Sequence, residues 1–231
     1  MNVALVSVGD ELLSGDTVNT NAAWLGERLT ERGASVARVT VVPDRVADIA
    51  RVVNEHAADY DAVIVTGGIG PTHDDKTMEG VAAAVGRSLS RNEAALEWLE
   101  SAGGYAREDL TEGTTLLPAD AEPLHNTEGV APGCKVENVY VLPGVPAEMK
   151  AMFESVADDF DGEPPHVGYV AVNEPESQLV DRLQELQERF AVTVGSYPGE
   201  HVRVKIESTD AAAVNAAMAW LQDRAEVEES D

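Results

Sequence analysis

Three short apolar runs, "NVALVSV", "SVARVTVV" and "YDAVIVT", recur in the first 70 residues with a helix-patterned segment after each of the first two. This alternation constrains the fold more than any other feature. "NVALVSV" is apolar almost throughout, as in a strand buried on both faces. Between the runs, "TNAAWLGERLTERG" places Ala23, Leu25 and Leu29 near helical spacing and stops at Gly33, and "RVADIARVVNEHA" sets Val46, Ile49, Val52 and Val53 on one face. Strand, helix, strand, helix, strand predicts βαβ units and a parallel sheet. A fourth strand, "NVYVLPG", and a helix, "VPAEMKAMFESVADDF", with proline near its first turn, extend the pattern. Residues 92–102 read as a helix carrying Leu96 and Leu99, and "GTTLLPADAEPLHNTEGVAPG" reads as loop with short strands.

Beyond "DGEPP" (161–165) the pattern changes. "HVGYVAV", "PESQLVDRLQELQERF", "VTVGSY", "HVRVKIES" and "AAAVNAAMAWLQDRA" form a β-α-β-β-α unit, so the expected domains are 1–162 and 163–231, with the acidic end "EVEESD" frayed. The expected fold class is α/β: a three-layer α/β/α sandwich with a mostly parallel sheet, plus a small α+β subdomain.

Charge narrows the function classes. Sixteen basic residues against 42 acidic ones give a net −26, spread along the chain. Such a surface repels nucleic acid and anionic membranes and stays hydrated in concentrated salt, which points to a halophilic setting. The small unit is reminiscent of RNA-binding domains but has neither a G-x-x-G loop nor a basic surface. No apolar run reaches the roughly 18 residues of a membrane span, and the start of the chain reads as a strand and not as a signal peptide. The single cysteine, Cys134, suits a reducing cytoplasm.

Parallel sheets bind ligands outside the carboxyl ends of their strands. Three segments leave such ends here, all read as loops: "GDELLSG", "PDR" and "TGGIGPTHDDKT". Two readings of the last stand side by side. In one, glycines build turns while Asp74 or Asp75 caps a helix and Asp44 caps another. In the other, Gly67, Gly68 and Gly70 let backbone amides approach a phosphate or diphosphate at a helix start. The neighbouring carboxylates then hold a hard divalent cation between themselves and the anion. His73 and Lys76 belong to the same loop, as a phosphate-positioning pair or as exposed polar residues. Asn19 and Asn21 suit helix capping or contact with a base or ribose. His201, Arg203 and Lys205 share one strand face, for surface ion pairs or for a phosphate.

"TGGIGPTHDDKT", with "GDELLSG", "VNTNAAWLGERL", "VVPDRVADI" and "VYVLPGVPAEM", closely resembles the molybdenum-cofactor-biosynthesis (molybdopterin-binding) domain family from about Asn2 to Phe160. The similarity is greatest to the amino-terminal part of CinA-type competence/damage-inducible proteins and to the molybdopterin-binding-like domain of eukaryotic FAD synthase. "VGSYPGEHVRVKIES" resembles the small subdomain that follows in those proteins. The resemblance implies chemistry at a phosphoanhydride: cleavage of an ADP-ribose-like or FAD-like adenine dinucleotide, with molybdopterin adenylyl transfer or molybdopterin binding without turnover as the alternatives. It implies a divalent cation (Mg, Mn or Co), with potassium as a further candidate ion, and a homo-oligomer, dimer or trimer. By position it assigns Asp75 and Asp44 as catalytic. Asp75, Asp74, Asp10 and Glu11 become the metal set, and Gly67, Gly68, Gly70, Thr77, Asn21, Pro143 and Gly144 the substrate contacts. Two positions depart from the adenylyltransferase pattern. Val145 stands where "PGSP" has serine, and Asp74 where arginine is common. Both agree with the CinA-like branch.

Overall fold

The computed structural model describes residues 1–227, which fall into two compact units, Met1–Gly162 and a second that begins at Glu163. In the first unit β1 (Asn2–Val8), α1 (Asp10–Ser14), α2 (Thr20–Glu31), β2 (Ser35–Val42), α3 (Val46–Asp59), β3 (Ala62–Gly67) and α4 (Thr77–Ala84) follow in order. A less regular stretch holds β4 (Leu89–Arg91), α5 (Glu93–Ser101), β5 (Leu116–Pro118), β6 (Glu122–Leu124) and β7 (Gly133–Val136), before β8 (Val139–Pro143) and α6 (Pro146–Val156).

Six strands form one sheet in the order β2-β1-β3-β8-β7-β6. The first four are parallel, and β7 and β6 are added antiparallel. Side chains alternate across the strands, so each face has its own core. Ala4, Val6, Val63 and Val65 pack with Ile49 and Val53 of α3 and Val81 of α4. Val3, Leu5 and Ile64 pack with Leu25 and Leu29 of α2 and Met149 and Phe153 of α6. Helices on both faces make the three layers that the sequence pattern predicts. Register aligns the carboxyl ends: Val8 pairs with Val42, Ser7 with Thr66, and Gly67 with Pro143. The strand order reverses beside β1, and the crevice for a ligand lies outside that reversal.

The second unit is β9 (His166–Val172), α7 (Glu176–Phe190), β10 (Thr193–Tyr197), β11 (Val202–Ser208) and α8 (Ala211–Gln222). Its antiparallel sheet has the order β10-β11-β9. Val170, Val204 and Ile206 face Leu179 and Leu186 of α7 and Ala217 and Leu221 of α8. The opposite face carries Arg203, whose guanidinium lies 5.3 Å from the Tyr169 ring centre and 5.5 Å from that of Tyr197. Lys205 pairs with Glu207.

Two details differ from the sequence reading. "GDELLSG" is a helical turn, α1, and not a loop; it buries none of its residues, so no apolar periodicity marks it. Within "EVEESD", Glu226 accepts from the Asn173 amide and Val227 bridges to Val172, so neither is frayed, and residues 228–231 lie outside the described residues. Among the described residues no helix is long and apolar enough to cross a membrane.

Candidate active site

The carboxyl ends of β1, β2, β3 and β8 bring the predicted residues to one edge of the first unit. After β1, Gly9 turns the chain into α1, whose first turn presents Asp10 and Glu11. A Cβ on Gly9 would stand 2.4 Å from the Glu11 carboxylate, so glycine there makes room for that acid. After β2, Asp44 accepts a 2.9 Å hydrogen bond from the Asp10 amide. It does not cap α3, which starts from Arg45 with no side-chain cap.

The turn after β3 is built around Asp75. A Cβ on Gly68 would fall 1.8 Å from Asp75 Oδ1, and one on Gly70 would fall 2.7 Å from Oδ2. None of Gly67, Gly68 and Gly70 has a φ in the left-handed region between +20° and +160°. Their value is therefore space and not an unusual backbone conformation, and at 68 and 70 that space is filled by the Asp75 carboxylate. The Thr72 hydroxyl donates to Oδ2 at 2.5 Å, and the Asp75 amide donates to the Thr72 carbonyl at 3.2 Å. Neither aspartate caps α4, whose cap position is Lys76. Among the described residues the amides of Gly68, Ile69 and Gly70 donate to no acceptor. Unused amide donors ahead of a helix are the type of group that attracts an anion.

The remaining predicted residues divide. Asn21 Nδ2 donates to the Gly144 carbonyl at 2.8 Å, while its buried Oδ1 has no partner. Asn19 caps α2 by accepting from the Ala22 amide at 3.1 Å. Together they border a cavity of about 90 Å³ lined also by Val8, Glu11, Thr17 and Gly144. Gly144 packs on the Gly67 backbone, and Pro143 ends β8 in register with Gly67. Thr77 is fully buried. Its unpaired hydroxyl lies 2.5 Å from where a Gly67 Cβ would be, so it sits beneath the turn. Asp74 and His73 turn to solvent beside each other, Nδ1 to Oδ1 3.7 Å, and Lys76 pairs with Glu79 at 3.7 Å. Val145 is exposed.

Sequence reasoning did not find Thr72 or the polar chain beneath the site. Asn19 Nδ2 donates to Ser7 Oγ at 3.0 Å, with Thr66 Oγ1 3.5 Å from the same oxygen. Their signal is a polar residue in each of two apolar strands, and these residues pair in register.

The electrostatics are one-sided. Burial pushes the Asp44 carboxyl above the usual carboxylate range; the Asp10 amide offsets part of this, and the negative charges of Glu11, Asp10 and Asp75 add to it. Among the described residues, Asp10, Glu11, Asp44 and Asp75 take part in no ion pair. Also among them, no three His, Cys, Asp or Glu side chains converge to hold a metal. The donor set fits a magnesium-type ion, which uses one or two carboxylates and completes its shell from substrate and water. It does not form a cage by itself. Cys134 is no candidate nucleophile: burial pushes its thiol up to about 12.

The family model described as "Probable molybdopterin binding domain" matches residues 4–161, and that described as "FAD synthase, middle domain" matches residues 164–230. A protein of Archaeoglobus fulgidus is 39% identical over 225 residues, covering 96% of this chain and 97% of its own length. A CinA-like protein of Frankia casuarinae is 36% identical over 97% of this chain and 58% of its own length. The crystal structure of a CinA protein of unknown function from Thermoplasma acidophilum superposes with a TM-score of 0.63. It is 39% identical and covers 69% of this chain and 97% of that one.

Proposed function

The chain belongs to the molybdopterin-binding domain family, and from that membership we propose that it cleaves the phosphoanhydride of an adenine dinucleotide, ADP-ribose-like or FAD-like, with the help of a divalent cation. One observation carries the reading. Among the described residues the turn after β3 combines three unused amide donors with a carboxylate in no ion pair, at the strand ends where Asp10, Glu11 and Asp44 also gather. A diphosphate suits the amides, and it can share the turn with Asp75 only if a cation lies between the two anions.

Asp44 and Asp75 are the residues that would hold that cation, with Asp10 and Glu11 beside them; Asp74, turned to solvent, is the weakest member of the set. Bound there, the ion would supply charge neutralisation at the phosphoryl oxygens. The amides of 68–70 bind and orient the diphosphate. Asn21, anchored on Gly144, offers a free acceptor to a ribose hydroxyl. Thr72 holds the Asp75 carboxylate in place. Catalysis of this kind rests on positioning and preorganised charge.

A second reading, a molybdopterin-binding module without turnover, is supported by the family match over residues 4–161. Adenylyl transfer is less well supported, because Val145, 54% exposed, offers no hydroxyl at the entry to α6. The test is AMP release from a panel of adenine dinucleotides with Mg²⁺, Mn²⁺ or Co²⁺ in high KCl, with calorimetry alongside. AMP release supports the pyrophosphatase; a nucleotide that binds but is not cleaved with any of these metals supports the module.

A further inference from the structure

The irregular stretch between α5 and β7 contributes nothing to the turn itself, yet it builds a cavity of about 280 Å³ directly beside it. Pro71, the residue after Gly70, forms one wall, and Tyr105, Leu110, Val130 and Ala131 form the others. Two tied turns hold these walls. Asn126, 2% exposed, donates through Nδ2 to the Ala131 carbonyl at 3.0 Å and to Glu148 at 2.6 Å. Its Oδ1 accepts from the amides of Glu128 and Gly129. Opposite, the buried Thr114 donates its amide and hydroxyl to the Thr111 carbonyl, at 3.1 and 2.7 Å. Gly113, left-handed at φ +98°, carries this turn to the Pro71 side chain. The volume lies just under the roughly 300–1,000 Å³ of whole-ligand pockets, so it suits one ring system and not an entire dinucleotide.

Resting on the pyrophosphatase reading, we propose that this cavity seats the adenine of the dinucleotide. Its walls are apolar and include a proline and a tyrosine, surfaces on which a planar base packs. Its polar edge selects the base. The Asp109 carboxylate, in no ion pair among the described residues, only accepts hydrogen bonds, and the Thr111 hydroxyl can donate. Adenine presents an exocyclic amine as donor next to a ring-nitrogen acceptor; a 6-oxo purine would set its carbonyl against the carboxylate. The cavity meets the turn at Pro71, which places the base within reach of a diphosphate on residues 68–70.

The test is calorimetric titration of the full chain in high KCl and Mg²⁺ with ADP, IDP and inorganic pyrophosphate. ADP is expected to bind at least about tenfold more tightly than IDP, the effect of one hydrogen bond to a charged group. Asp109→Asn, which can donate to a 6-oxo group, should erase that preference. Val130→Trp, filling the cavity from its exposed rim, should weaken ADP at least about tenfold while pyrophosphate affinity and melting temperature hold. Equal ADP and IDP affinities, or a Val130→Trp protein that binds ADP normally, would overturn the adenine seat. Loss of pyrophosphate binding in wild type alone, with the ADP pattern intact, would sink the reading of the turn and leave the cavity assignment standing.

Discussion

At the scale of single residues, Asp44 and His56 make opposite statements about pH. The folded chain raises the Asp44 carboxyl, so the folded state binds that proton more tightly than the unfolded one. Its contribution is therefore present below the usual carboxylate range and is lost as pH rises through the raised value; at pH 7 the charge is a cost. Asp44→Asn keeps an oxygen for the Asp10 amide and removes the charge. Its melting temperature in molar KCl should equal or exceed that of wild type; a clear drop would show that the carboxylate is structural. His56 runs the other way. Burial lowers its pKa; Nε2 lies 3.0 Å from Thr40 Oγ1, and the buried Nδ1 has no partner. Its contribution is full above the ordinary histidine value of roughly 6.5 and is lost as pH falls through the lowered one. Between about pH 7 and pH 5, wild type should lose more stability than His56→Gln. Parallel melting curves for the two would contradict this.

At the scale of elements, the turn between β3 and α4 couples glycine to carboxylate. Gly68→Ala places a methyl against Asp75 and should destabilise by roughly 1–3 kcal/mol, the range of overpacking. Asp75→Ala should cancel most of that loss in the double mutant, since one atom clash is shared. A double mutant whose denaturation midpoint shows simple additivity would mean that the carboxylate does not fill the turn. This coupling was not legible in the sequence. Repeating strand and helix periods made β1, β2, β3, β8 and their helices readable, and the family resemblance of the motifs singled out Asp44, Asp75 and Gly144. Periodicity does not reveal what occupies the space that a glycine leaves. Local propensity suggested that Asp44 and Asp75 cap helices; the structure instead gives Asp44 a long-range contact with the Asp10 amide and folds Asp75 into its own turn on Thr72, because α3 and α4 begin at the residues that follow Arg45 and Lys76. α1 was missed because its five residues, none of them buried, carry no apolar stripe.

At the scale of the molecule, 42 acidic residues against 16 basic ones repel one another, and salt screens them; the Debye length is roughly 3 Å at 1 M against 10 Å at 0.1 M. The melting temperature should rise from dilute buffer to molar KCl, and a flat or falling curve would remove the halophilic account. Assays therefore belong in high salt, and there the central claim meets its most direct measurement: AMP release by wild type and by Asp75→Asn from the adenine dinucleotide that wild type cleaves fastest, with thermal melting of both. Asparagine keeps the size of the side chain in the turn and removes its charge. Turnover should fall about a hundredfold or more, as loss of a dominant electrostatic contribution does, with the fold intact. An Asp75→Asn protein that melts like wild type and releases AMP at the wild-type rate would contradict the account.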